Sequence, residues 1–428
     1  MHSLEPQSRS SGKTAEKALL VGLFQDRREE SDREHTLEEL RLLALSAGAE
    51  ASLRVLTEVR ELHAATLIGR GKVERLAMEV KKQGVNIVIF DEDLTPTQNR
   101  NLEEMFGCKV IDRTGLILDI FAKRARSREG KIQVELAQLK YLLPRLSGHG
   151  HELSRLGGGI GTRGPGETEL EMDQRRVRSK IGSLTSDLAR LRAHREIHRR
   201  KREGVGVATV SIVGYTNAGK STLMNRLTGA GVPVADQLFM TLDPTVRRLR
   251  LPSGREILLA DTVGFVRKLP HQLIEAFYAT FEEVGAADLL LHVIDSSRPG
   301  VTERIRVVEG VLAELDLSDR PVLRVFNKAD QGLGQRPEGL DPMDGDQLIS
   351  ALQGEGLEGL LAEVDLRLAA SFQRVSFMIP HADGSVLSQL YSSSRVVERT
   401  DCREGVLLQA EVSEKYFNKF KKFRTLPR

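Results

Sequence analysis

Across residues 18–126, short apolar runs alternate with segments of helical period. "ALLVGLF", "SLRVLTEV", "VNIVIFDED" and "KVID" read as strands. Between them, "TLEELRLLALSAG", "GKVERLAMEVKKQG" and "PTQNRNLEEMFG" repeat apolar residues every three or four positions, the first closing at Gly48 and the second at Gly84. Strictly alternating strand and helix predicts an α/β domain with a parallel sheet.

From about residue 127 the period changes. Ile132, Leu136, Leu139, Leu143 and Leu146 follow one another at steps of 4, 3, 4 and 3, and Val177, Ile181, Leu184, Leu188 and Leu191 repeat those steps. Each set is a narrow stripe of the kind that packs one helix on another. The pattern predicts an antiparallel helical hairpin over 127–203 with a Gly-rich tip at 147–172. Pro144 predicts a kink or an end in the first helix. The second helix, from about Asp173 to Glu203, carries eleven Lys or Arg against four Asp or Glu. That excess reads either as a solvated face or as a surface for a polyanion. Strands and helices alternate again over 204–370. The segment 371–428 reads as strand, helix, strand, helix, a small α+β module. Its ending "EKYFNKFKKFR" sets Tyr416, Phe417, Phe420 and Phe423 among basic residues, a stripe better suited to core contact than to base stacking. Residues 1–17 are polar and read as a disordered tail.

Composition adds limits. A length of 428 residues suits two to four domains. Hydrophobic residues at 40% and charged residues at 29% are an ordinary globular balance. No apolar stretch approaches a membrane span, and the N-terminus lacks the apolar core of a secretory signal. The two cysteines, Cys108 and Cys402, are far apart and read as reduced thiols, which points to the cytoplasm. A net charge of +3 argues against a general nucleic-acid coat.

The strongest chemical signal is "GYTNAGKSTLMNRL", which follows the strand-like "ATVSIV" and runs into a helix. Gly214, Gly219, Lys220 and Ser221 satisfy G-x-x-x-x-G-K-[ST]. Glycines let the backbone turn its N–H groups onto phosphate oxygens, and the helix N-terminus adds positive potential. Lys220 is placed for the β- and γ-phosphates, and the Ser221 hydroxyl for Mg²⁺. Two similar strings fail this standard. "SGKT" at Ser11–Thr14 lacks the first glycine, and "GIGTRG" at Gly159–Gly164 follows no strand and precedes Pro165.

The base is read downstream. "RPVLRVFNKAD" is a buried strand ending in Asn327, Lys328, Ala329 and Asp330. A carboxylate at 330 can accept from the N1–H and N2–H₂ of guanine, a donor pair that adenine lacks. Asn327 suits the guanine N7/O6 edge, the stem of Lys328 suits the base face, and a backbone N–H within Ser350–Leu352 suits O6. Between these lie Asp261, which can hold Mg²⁺ through water, and Gly264, whose N–H can meet the γ-phosphate. Thr241 in "QLFMTLDPT" is the candidate second hydroxyl ligand, with Thr245 its rival. Phe265 occupies the place after the glycine where many such switches carry a water-orienting Gln, which predicts slow intrinsic hydrolysis.

"LGGGIGTRGPGETELE" at Leu156–Glu171 reads either as a flexible connector or as a tip that contacts structured RNA. With "VIDRTGLILDIFAKRARSREGKIQVELAQL", "SIVGYTNAGKSTLMNRL", "DQLFMTLDPT", "LADTVGF" and "NKAD", it makes the chain resemble the HflX family of translational GTPases over about residues 85–426. The resemblance implies a Mg²⁺-dependent GTP hydrolase that uses GTP and releases GDP. It implies α/β architecture: a doubly wound, mostly parallel P-loop domain preceded by an α/β domain with the hairpin and followed by a small α+β domain. Nucleotide contacts are implied at Gly214, Tyr215, Thr216, Asn217, Ala218, Gly219, Lys220 and Ser221. Others are implied at Phe239, Met240, Thr241, Leu242 and Asp243, and at Asp261, Thr262, Val263 and Gly264. The base contacts would be Asn327, Lys328, Ala329, Asp330, Ser350, Ala351 and Leu352. Ser221 and Thr241 would bind the metal, with Lys220, Thr241 and Gly264 forming the catalytic set. The implied partner is the large ribosomal subunit and its rRNA, met by a cytoplasmic monomer that dissociates or rescues ribosomes, with hydrolysis stimulated there. The alternatives are a ribosome-biogenesis GTPase and an ATP-using RNA remodeller, the latter without a visible phosphate loop in 1–126.

Overall fold

The computed structural model describes residues 16–25, 30–146, 165–203, 207–231, 238–268, 284–298, 300–331, 343–370 and 372–425. The Gly-rich motif from Leu156 to Gly164 and residues 1–15 lie outside the described residues, while Glu16 and Lys17, read with the tail, open the first strand because they pair with the neighbouring strand at Ala49 and Glu50. The chain forms two compact units: Met1–Lys123 with Gln138–Arg178, and Arg124–Ala137 with Ser179–Arg428.

The first unit is built on β1 (Glu16–Phe24), α1 (Glu30–Ala47), β2 (Ala49–Glu58), α2 (Arg70–Gln83), β3 (Ile87–Phe90), α3 (Pro96–Phe106), β4 (Lys109–Asp112) and α4 (Arg113–Arg124). Its strands lie in the order β2-β1-β3-β4, all parallel. The central strand β1 is buried from Ala18 to Phe24, which is why its sequence is a continuous apolar run rather than an alternation. Helix α3 starts at a reciprocal cap: the Thr95 hydroxyl accepts from the Gln98 backbone at 3.2 Å, and the Gln98 side chain accepts from the Thr95 backbone at 3.0 Å. Helix α4 is absent from the sequence reading. Eight of its residues, from Arg113 to Phe121, are buried, so no polar face marks its period. Arg113, only 1% exposed, is held by Asp91 at 2.7 Å and by Glu39.

The two stripe-bearing helices are α5 (Arg128–Leu146) and α6 (Pro165–Glu203). Pro144 does not end α5, which runs two residues past it. Helix α6 starts at Pro165, eight residues before Asp173, so residues 165–172 are helical rather than tip. Proline suits a first helical turn because its missing N–H would have no partner there. Within the second unit Lys180 of α6 pairs with Glu135 of α5 at 3.3 Å. Leu184 and Leu188, from the predicted stripe, are buried.

The second unit carries a six-stranded sheet. Its elements are β5 (Ala208–Gly214), α7 (Lys220–Thr228), β6 (Thr245–Arg250), β7 (Glu256–Asp261), β8 (Leu289–Asp295), α8 (Val301–Glu314), β9 (Val322–Asn327), β10 (Gln347–Leu348) and α9 (Leu357–Ala370). Strand order is β10-β9-β8-β5-β7-β6, parallel except for β6, which runs antiparallel to β7. β5 sits between β8 and β7, so the crevice at its carboxyl end is where such sheets take ligands.

A third, antiparallel sheet follows, with order β12-β13-β11-β14. Its elements are β11 (Phe372–Pro380), α10 (Gly384–Ser393), β12 (Arg395–Cys402), β13 (Gly405–Ser413), α11 (Glu414–Lys419) and β14 (Arg424–Thr425). The sequence reading had one strand where the structure has the hairpin β12–β13. β12 is largely exposed, and exposed strands carry little hydrophobic signal. Phe420 is buried and meets Phe377 edge-on at 6.2 Å, with Phe417 and Phe423 packed beside it, so these aromatics are core. Arg255 joins this sheet to the larger one: it donates to Glu411 at 2.8 Å and lies 4.6 Å over the Phe372 ring.

His292 on β8 is 2% exposed. Burial, with the nearby positive charges of Arg324 and Lys220, pushes its pKa down to about 3. The folded value lies below the unfolded one, so the unfolded chain takes up the proton first as pH falls below about 6.5. Stability is predicted to fall by up to about 1.4 kcal/mol per pH unit from this group across that limb. Urea unfolding of wild type and His292→Leu between pH 7 and 4.5 checks it: the variant's slope should be shallower by one proton.

Candidate functional site

At the carboxyl end of β5 the chain turns through Gly214–Gly219 into α7. Gly219 has φ +93°, and a side chain there would fall on the Asn327 amide. That amide donates to the Ala218 carbonyl at 2.8 Å, so the phosphate loop and the "NKAD" strand end are in direct contact. Asn327 Oδ1 accepts from Ala351 N at 2.9 Å, drawing in the third segment.

Lys220 is 6% exposed. Its ammonium donates to the carbonyls of Gly214 at 3.0 Å and Tyr215 at 2.8 Å. Burial lowers its pKa to about 8, against the opposing pull of Asp261. Asp261, at the end of β7, is fully buried, and burial raises its pKa against the pull of Lys220, Ser221 and Thr241. Asp261 Oδ2 accepts from Ser221 Oγ at 2.7 Å and from Thr241 Oγ1 at 3.2 Å, and the two hydroxyls lie 2.7 Å apart. Asp261 Oδ1 is buried with no hydrogen-bond partner. Three hard oxygen donors converging on one point, with a further carboxylate oxygen unsatisfied, fit a Mg²⁺ ion. Thr241, not Thr245, brings its hydroxyl to this cluster; Thr245 faces Asp261 as its strand partner on β6.

The loop after β7 is stitched to the phosphate loop by backbone. Thr216 N donates to Phe265 O at 2.7 Å and Phe265 N donates to Gly214 O at 3.1 Å. Gly264 is there because nothing larger fits: a Cβ would lie 2.8 Å from a Thr216 methyl and 2.9 Å from Lys220 Nζ. The Phe265 side chain is fully buried. A cavity of about 50 Å³ remains, lined by residues including Thr216, Asn217, Lys220, Phe239, Met240 and Gly264.

On the base side, Asp330 is exposed, and one of its oxygens accepts from the buried Ser350 hydroxyl at 2.6 Å. Lys328, at φ +66°, donates to Asp295 at 2.8 Å. Thus Ser350 orients the carboxylate through its side chain, and Asp295 holds the lysine. The sequence reading missed both links, as it missed Thr222, which lines the phosphate cavity. "VIDSS" at the end of β8 was the available signal for Asp295. Tyr215, Ala218, Leu242 and Val263 are buried. Thr262 hydrogen-bonds Ile212 O at 2.7 Å, and Leu352 is 63% exposed. Ala329 N donates to Ile349 O at 3.1 Å. The Asp243 carboxylate is engaged elsewhere, by Arg126 and Ser127.

A phosphate loop, an Asp-x-x-Gly loop and an Asn-Lys-x-Asp strand end on one doubly wound sheet define a P-loop GTPase. Four family descriptions match in order: "GTP-binding GTPase N-terminal" at 34–122, "GTP-binding GTPase Middle Region" at 124–202, "50S ribosome-binding GTPase" at 209–328 and "HflX C-terminal domain" at 344–422. The chain is 50% identical to the GTPase HflX of Caldanaerobacter subterraneus subsp. tengcongensis, over 93% of this chain and 91% of that one. It is 46% identical to the GTPase HflX of Escherichia coli, over 88% of each. A GTP-binding protein from Sulfolobus solfataricus, solved with GDP, aligns at 25% identity and a TM-score of 0.44, covering 83% of this chain and 99% of that one. The chain belongs to the HflX family of GTPases and is a GTP hydrolase.

Asp330→Asn replaces an acceptor with a donor, so GTP affinity should fall by on the order of a hundredfold while xanthosine triphosphate, which presents an acceptor at that edge, gains. Competition binding with the two nucleotides measures the exchange. Lys220→Ala should nearly abolish triphosphate binding, and unchanged affinity in equilibrium titration would contradict the phosphate role.

Proposed function

We propose that this chain is a GTP-controlled factor of the large ribosomal subunit, dissociating or rescuing ribosomes in the cytoplasm as a monomer, with hydrolysis stimulated on the ribosome. The observation that carries the reading is Phe265, fully buried where a water-orienting side chain would serve hydrolysis. An apolar ring cannot hold the attacking water, so a partner must order the site. The match of residues 209–328 to a domain described as a 50S ribosome-binding GTPase supports the ribosome as that partner. Exposed Arg175, Arg176, Arg178, Lys180 and Arg190 on α6 support rRNA contact.

In this reading, backbone N–H groups of Gly214–Ser221 receive the phosphates, and the Lys220 ammonium exchanges its loop carbonyls for β- and γ-phosphate oxygens. Ser221 and Thr241 would bind Mg²⁺, with Asp261 behind them; when bound, the ion neutralises charge building on the phosphates. Gly264 N–H donates to the γ-phosphate. Asp330 accepts from guanine N1–H and N2–H₂, and Asn327, Lys328 and the backbone of Ser350–Leu352 frame the ring. Loss of the γ-phosphate removes partners from Thr241 and Gly264 together, so both loops relax. The proposed working parts are 18–126, the hairpin 127–203, the GTPase domain 204–370 and the module 371–428.

Single-turnover hydrolysis with and without purified large subunits tests the proposal. Stimulation on the order of a hundredfold or more is expected; fast turnover by the isolated protein, unmoved by subunits, would refute it. Sedimentation of whole ribosomes separates splitting from a biogenesis role, since splitting requires GTP-dependent loss of the full particle. Deleting 156–168 should leave nucleotide affinity intact and remove stimulation; stimulation that survives makes the tip a linker.

A further inference from the structure

Thr241 and Asp243 are two residues apart on one loop, yet their side chains serve different elements. The Thr241 hydroxyl lies on Ser221 and Asp261. The Asp243 carboxylate accepts from the backbone N–H of Arg126 at 3.1 Å and of Ser127 at 2.8 Å, and from the Ser127 hydroxyl. Ser127 in turn caps α5, its Oγ accepting from Gly130 N at 2.9 Å. A carboxylate at a helix N-terminus is favoured by the helix dipole as well as by these donors. The fit extends to Gly130: a Cβ there would lie 2.6 Å from Asp243 Oδ1 and 3.0 Å from Ser127 Oγ. An alanine would suit the helix better on propensity alone, so the glycine answers to the carboxylate. Upstream, the buried Phe239 and Leu242 root the same loop in the protein.

We propose that Asp243 is a positioning residue: it fastens the Thr241 loop to the first turn of α5, so that the threonine and the start of the hairpin helix move as one. The consequence runs both ways. A γ-phosphate that captures Thr241 also fixes Asp243 and the cap of α5, and whatever holds α5 in place presents Thr241 ready-made. Asp243 is therefore read as a fastening between elements rather than as a nucleotide ligand. The inference rests on the reading that Thr241 answers to the γ-phosphate.

The test is a cycle of Asp243→Ala, Gly130→Ala and the double variant in the full-length protein, with Thr241→Ala as reference. Each is measured for GDP affinity, affinity for a non-hydrolysable GTP analogue, and hydrolysis. Asp243→Ala should leave GDP affinity within about twofold, and cut analogue affinity and the hydrolysis rate by about tenfold. Gly130→Ala, on another element, should reproduce that split by displacing the carboxylate. In the double variant the clash is gone, so it should be no worse than Asp243→Ala. Amide exchange at Ser127 and Gly130 should slow on analogue binding relative to GDP in wild type, and should not in Asp243→Ala. Intact GDP affinity shows that a variant is folded. If Thr241→Ala loses the analogue preference and Asp243→Ala keeps it, with exchange still responsive, the fastening is refuted. If Thr241→Ala itself keeps the preference, the underlying reading of Thr241 fails instead.

Discussion

A lysine at the start of α7 and an aspartate at the end of β7, buried together, set the terms for this site. Taking either charge out of water alone would cost several kcal/mol. Lys220 has its loop carbonyls and Asp261 has two hydroxyls, and each draws the other toward its charged form. Asp261 is not satisfied in full, since it keeps an oxygen without a hydrogen bond. The site therefore holds unspent polar capacity for a polyanion and its metal. The rigid parallel sheet keeps that capacity open, since β5 and β7 are paired along their length.

The glycines follow from closeness rather than from flexibility. Gly219 gives way to the Asn327 amide, and Gly264 to Thr216 and Lys220. Through Asn327, the phosphate half and the base half of the site share one hydrogen-bond chain, Ala218–Asn327–Ala351. A change in either half is felt by the other through packed backbone, which deforms little. Gly130 belongs to the same logic outside the site, where the approaching group is the carboxylate of Asp243.

The exposure of Asp330 changes how base selection is understood. From the sequence, Asp330 reads as the acceptor for two guanine donors that adenine lacks. In the structure the acid is exposed and one oxygen is held by Ser350, which in the proposed function would orient it before guanine binds. Ser350 is itself fully buried, which fixes the donor in place. Such preorganisation lowers the ordering cost of binding.

By itself the sequence determined the parallel α/β character, through continuous apolar strands spaced by capped helices. It also determined the phosphate loop and the purine-reading strand end, because those chemistries demand particular residues at fixed spacing. It hid α4, whose burial on nearly every side erased its period, and it merged β12 with β13, whose exposed strand carries little hydrophobic signal. Only the tertiary structure set the Thr241 hydroxyl on Ser221 and Asp261, paired Ser350 with Asp330 and Asp295 with Lys328, and set Asp243 on the cap of α5. Those contacts join residues between 20 and 116 positions apart. Local period and local spacing carry no trace of such pairings, because they arise only when the sheet brings distant loops to one edge.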